Sequence, residues 1–160
     1  MEDIWNITAL VVSVLSVLLS LYALRQATTK NTSDMYLFFI SQYAKEDMKL
    51  ALRKLKDIKR GVHRLEQWES DMKNNLPKAF EYDEARRLVK YFYDTLAYMK
   101  LEKLIEARFV RLICLKKGAW LYLDTVEAME KFFDSGYDKK PYAVIRDVCE
   151  NLRKEGCCPP

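Results

Sequence analysis

The chain has 160 residues, half of them hydrophobic and 31% charged, with 27 Lys and Arg against 23 Asp and Glu. That length holds one domain and an appendage, and four glycines and four prolines are too few for the turns of a sandwich or barrel. Abundant aliphatic and aromatic side chains exclude a disordered chain, and a single histidine, His63, excludes any two-histidine mechanism.

The first predicted element is a membrane span. Residues 4–24, IWNITALVVSVLSVLLSLYAL, are 21 positions without a formal charge, twelve of them Leu, Ile or Val. As a helix they cover about 32 Å, matching a hydrocarbon core of about 30 Å. The twelve aliphatic residues favour insertion by on the order of −5 kcal/mol. Trp5 and Tyr22 lie near the two ends, where amphipathic rings settle among headgroups. No Lys or Arg precedes the span, whereas Arg25 and Lys30 follow it, which predicts a short N-terminus outside the cell membrane and the rest in the cytoplasm. Cys114, Cys149, Cys157 and Cys158 show no disulfide spacing, in keeping with a reducing compartment. Within the span, Asn6, Ala9, Ser13, Ser16, Ser20 and Ala23 recur at alternating steps of three and four, continued by Ala27. Small residues on one seam let two helices approach in lipid, so this stripe is the candidate self-association surface.

Residues 25–34, RQATTKNTSD, read as a polar linker, and 35–156 as an all-α cytoplasmic domain, the whole part after Leu24 carrying about +6. Helical periodicity predicts segments at about 34–43, 45–60, 62–74, 83–101, 103–113, 118–134 and 141–155. Five or six of these make the bundle, and every glycine falls at a segment edge. Asp83 is the expected cap of the fourth. That helix turns Leu88, Tyr91, Phe92, Thr95, Leu96 and Met99 inward, and the last buries Tyr142, Ile145, Val148, Cys149 and Leu152. Residues 157–160 form a frayed tail.

Chemistry is sparse. No phosphate-cradling glycine loop can be written. His63 reads as an exposed residue on the third helix, and with Glu66 it makes only half of a carboxylate-bridged metal site. Glu66, Asp71, Glu81, Asp83 and Glu84 read as solvated carboxylates with no apolar pocket to raise a pKa. No catalytic, cofactor or metal residue is therefore assigned. The electrostatic feature is the second helix, with seven basic and three acidic residues from Lys45 to Arg60. Lys49, Arg53, Lys56 and Arg60 fall at steps of four, three and four, a stripe opposite Met48, Ala51, Leu52 and Leu55. Such a stripe suits an anionic lipid surface close to the span, and nucleic-acid phosphates are the less favoured partner. A plain solvated face is the ordinary alternative.

The run LVKYFYDTLAYMKLEKLIEARFV (88–110), followed by a helix centred on Trp120, resembles an uncharacterised family of small prokaryotic single-pass membrane proteins, domain of unknown function 4760. Phe92-Tyr93-Asp94 stands where that family tends to have Phe-Glu, and Leu104-Ile105-Glu106 where it tends to have Gly-Leu-Ile-Asp. The resemblance implies the architecture and no activity. The resulting expectation is a membrane-anchored helical binding or scaffold domain with an unidentified protein partner. A tethered enzyme working through carboxylates, or a tethered nucleic-acid binder using 45–60, are the other two readings.

Overall fold

The computed structural model describes residues 16–23, 33–133 and 137–157, and among them every regular element is helical. The chain divides into two units, 1–37 and 38–160. In the first, 16–23 and 33–37 are helical, and all eight side chains of 16–23 are exposed. Leu19 is open to 67% and Tyr22 to 62%. Among the described residues no helix is long and apolar enough to cross a membrane. Positions 4–15 and 24 of the expected span lie outside those residues, as do Asn6, Ala9 and Ser13 of the seam and all but the last two linker positions. Ser20, on the described part of the seam, donates its hydroxyl to the Ser16 carbonyl at 2.8 Å, so that proton is satisfied within its own helix. Ser33 and Asp34 are already helical rather than linker.

The second unit opens with α1 (38–44), then α2 (Glu46–Lys59), α3 (Leu65–Lys73) and α4 (Pro77–Leu101). After α5 (Ala107–Cys114) come α6 (Lys117–Leu121), a π-helical turn (Tyr122–Val126), α7 (Glu127–Phe133) and α8 (Lys139–Lys154). The segments outnumber the five or six expected, because the single helix expected at 118–134 is divided into α6, the π turn and α7.

Helix α4 is the hub, packing against α2, α3, α5, α8 and the π turn. It begins at Pro77, not at the expected Asp83, because a first-turn proline lacks only an N–H that would have no intrahelical partner. Asp83 is thereby no cap but a buried residue on the helix. The inward face is Tyr82, Ala85, Arg86, Val89, Phe92, Tyr93, Leu96 and Ala97, rotated from the expected stripe. Leu88 and Tyr91 stay exposed, Tyr91 to 75%. In α5 the buried side is Val110, Ile113 and Cys114, while Leu104 and Leu112 are exposed. The turn before it carries Lys103 at φ +56°, which delays the helix to Ala107. All five residues expected inside α8 are buried.

His63 departs most from expectation. Gly61, at φ +74°, ends α2, and the N–H groups of Val62 and His63 both reach the Asp57 carbonyl. The chain folds back before α3 starts at Leu65, so Val62 is exposed to 73% and His63 to only 2%. The imidazole stacks on Tyr82, centroids 4.6 Å apart, with Nε2 3.5 Å from Asp71 Oδ2. It is a packing residue, and no helix face pairs it with Glu66.

An aromatic column fills the centre. Tyr93, Tyr122 and Tyr142 stack in sequence at 5.1 and 4.5 Å, and Phe39 meets Phe92 edge-on at 5.4 Å. Gly118 sits against this column. A Cβ there would stand 2.8 Å from the Tyr93 hydroxyl and 2.9 Å from that of Tyr43. Gly118→Ala must push a buried ring aside, and a loss of about 1–3 kcal/mol in urea unfolding is expected. An unchanged midpoint would mean that the two rings shift freely.

A cationic groove beside α2 as candidate functional site

Helix α2 is amphipathic because Met48, Ala51, Leu55 and Ile58 recur at helical spacing and bury against α4. That anchoring fixes where the other faces point. Lys49, Arg53, Lys56 and Arg60 all line one open cavity of about 930 Å³, joined there by Lys59. The expected stripe is thus brought together, along the wall of a groove.

The opposite wall comes from α6, whose Lys117, Gly118, Trp120 and Leu121 line the same space, and Arg153 near the end of α8 adds a seventh cation. Leu52, expected opposite the basic stripe, is half-buried and contributes to the floor, as does Tyr43 of α1. The Gly118 N–H donates to the Tyr43 hydroxyl at 3.2 Å, and burial raises the Tyr43 phenol above its ordinary value. The bare Cα of Gly118 lets that ring approach α6, so the floor is built rather than left by poor packing.

Among the described residues the lining holds no Asp or Glu. Lys49 has an exposed neighbour in Glu46 at 3.3 Å, and Lys59 pairs with Asp124. Arg53, Lys56, Arg60, Lys117 and Arg153 form no ion pair among the described residues. A concave site with like charges and few counter-charges holds a positive potential that focuses on anions.

Acidic groups gather elsewhere. Asp83 bonds Arg86 and Arg87, each at 2.7 Å, and Glu130 pairs with Arg86 and lies 3.8 Å from Lys90. Glu127 engages Arg146, Tyr137 and Lys131, and Asp94 accepts from Tyr122 at 2.5 Å and from Lys90. Of the carboxylates weighed in the sequence, Glu66 and Glu84 are exposed and Glu81 pairs with Lys54 at 3.0 Å. These acids do not converge on the cavity. Among the described residues no cluster of three or more His, Cys, Asp or Glu suits a metal ion.

The thiols of Cys114 and Cys149 meet between α5 and α8. Their mutual hydrogen bond, with burial, pushes Cys114 up, and the same bond lowers Cys149. Cys157 is exposed, and Cys158 with the rest of the expected tail lies outside the described residues. In the run used for the family resemblance, Phe92, Tyr93 and Ile105 are core, while Trp120 belongs to the groove.

Sequence reasoning missed Lys117 and Arg153, because nothing local links them to α2. No family model matches the chain, and neither a curated protein nor a solved structure is matched.

Proposed function

We propose that this protein is anchored in the cell membrane by residues 4–24, N-terminus outside, and that its cytoplasmic helical unit works by binding an anion in the groove beside α2. The binding reading is carried by one observation, seven cations around an apolar and aromatic floor with no carboxylate in the described lining. The anchor reading is supported by 21 uncharged positions and by the exposed aliphatic side chains of 16–23. Self-association through Ser16, Ser20, Ala23 and their heptad partners stays part of the proposal. It rests on the spacing alone, since the Ser20 proton is held within its helix.

The curved wall narrows the earlier lipid reading. A flat bilayer surface meets a convex stripe, whereas Arg53, Lys56, Lys117 and Arg153 surround a cavity suited to a discrete group. A headgroup drawn from the anionic leaflet is one source of such a group. The enzyme reading has no comparable support, because the buried carboxylates Asp83, Glu127 and Glu130 are all engaged by cations.

Two measurements on the full chain test the anchoring. After carbonate washing the protein is expected in the membrane pellet, and recovery in the aqueous fraction overturns the anchor. Cys157 is exposed and Cys114 and Cys149 are buried, so a membrane-impermeant maleimide reports the side on which the C-terminus lies. Labelling only after permeabilisation is expected, and labelling of intact cells overturns the orientation.

A further inference from the structure

We infer that the groove's ligand is an organic phosphate, with a phosphorylated end held by the cations and a flat or apolar body laid on the floor. The inference rests on the reading of the groove as a binding site and specifies what fills it.

The charge argument comes first. Arg53, Lys56, Arg60, Lys117 and Arg153 reach the cavity from three separate helical regions and form no ion pair among the described residues. Cations gathered this way repel one another, and a group with several negative charges relieves all of them at once. A lone carboxylate supplies one charge and leaves most of the set unmatched. Phosphate oxygens suit the set chemically, since arginine forks bind them bidentately and lysine acts as a point charge beside them.

The floor supplies the second half. Leu52, Leu121, Trp120 and Tyr43 offer carbon and ring surface, which an inorganic polyanion or a sugar phosphate leaves uncovered. A base stacked on an aromatic side chain, or the first methylenes of an acyl chain, covers it. The cavity, about 930 Å³, is near the upper end of the range for small-molecule sites, so it has room for both parts of one such molecule. Two sources share this chemistry, a nucleotide from solution and a phosphomonoester lipid from the bilayer.

Titration calorimetry of the full chain in zwitterionic nanodiscs separates them. The probes are ATP, short-chain phosphatidic acid, inorganic tripolyphosphate and oligothymidylates of increasing length. ATP or phosphatidic acid is expected to bind at least about tenfold more tightly than tripolyphosphate, and the tighter of the two identifies the source. Arg53→Gln with Lys56→Gln is expected to weaken that binding by about tenfold or more. Lys78→Gln with Lys139→Gln, exposed cations away from the groove, leaves it unchanged. Leu52→Ser lowers affinity for the organic phosphate and not for tripolyphosphate. Equal binding of tripolyphosphate overturns this inference and leaves the anion site standing. Binding that strengthens with oligothymidylate length overturns it in favour of nucleic acid. No binding of any probe removes the groove's function altogether.

Discussion

Above pH about 10, the helical unit should lose stability at about 4 kcal/mol per pH unit, because three stacked tyrosines keep their protons only while folded. Burial is the largest cause of the raised value at Tyr93, Tyr122 and Tyr142. Tyr122 is held up further because its hydroxyl donates to Asp94, so a phenolate there would lose its bond and face a carboxylate. Asp94 and Glu127 add their charges against ionisation of Tyr142. In the unfolded chain these phenols release their protons near pH 10, whereas in the fold they hold them well above it. Between those limits the unfolded state binds fewer protons, and rising pH draws the equilibrium towards it. The stabilisation is complete below the unfolded value and is lost as pH climbs towards the folded ones. Tyr137, pushed up to about 12 by burial and its bond to Glu127, acts in the same direction. Urea midpoints followed by circular dichroism should fall steeply over this range. Tyr122→Phe should reduce the slope by about 1.4 kcal/mol per pH unit. A slope left unchanged by Tyr122→Phe would show that the column is open to solvent and does not hold these protons.

That column was half legible in the sequence. Tyr142 lies on a helix with one apolar face, Tyr142, Ile145, Val148, Cys149 and Leu152, and that face is the buried one. Tyr93 lies on α4, where apolar residues occupy two faces, Leu88 and Tyr91 on one and Val89 and Tyr93 on the other. Local periodicity cannot choose between them. Packing by α2 and α8 does, and it turns Tyr91 outward. The groove divides in the same way. Lys49, Arg53, Lys56 and Arg60 share a face by helical spacing alone, but Lys117 and Arg153 join them only through tertiary packing. His63 was misread because its neighbours Arg64 and Glu66 suggest a solvated helix. Gly61 at positive φ tucks the imidazole beneath Tyr82 instead.

Arg86→Met should cost about 3–5 kcal/mol of stability, as expected when one partner is removed from a buried ion pair. Arg86 is 7% exposed, and its guanidinium lies 4.7 Å from the Phe133 ring centroid. It bonds Asp83 through Nε at 2.8 Å and pairs with Glu130 through its other arm. Methionine keeps the apolar stem and deletes the charge, so the loss measures carboxylates stranded at 2% and 6% exposure. What remains to hold them is weak. Arg87 reaches Asp83 from a side chain 72% exposed, and Lys90 lies 3.8 Å from Glu130 while already engaged by Asp94. Neutralising one stranded acid should recover part of the loss, so Arg86→Met with Glu130→Gln should be more stable than the sum of the two single changes predicts. A double-mutant cycle in urea measures this coupling directly, with an expected size of about 1–3 kcal/mol. Strictly additive losses would mean that Arg86 and Glu130 do not share a desolvated site.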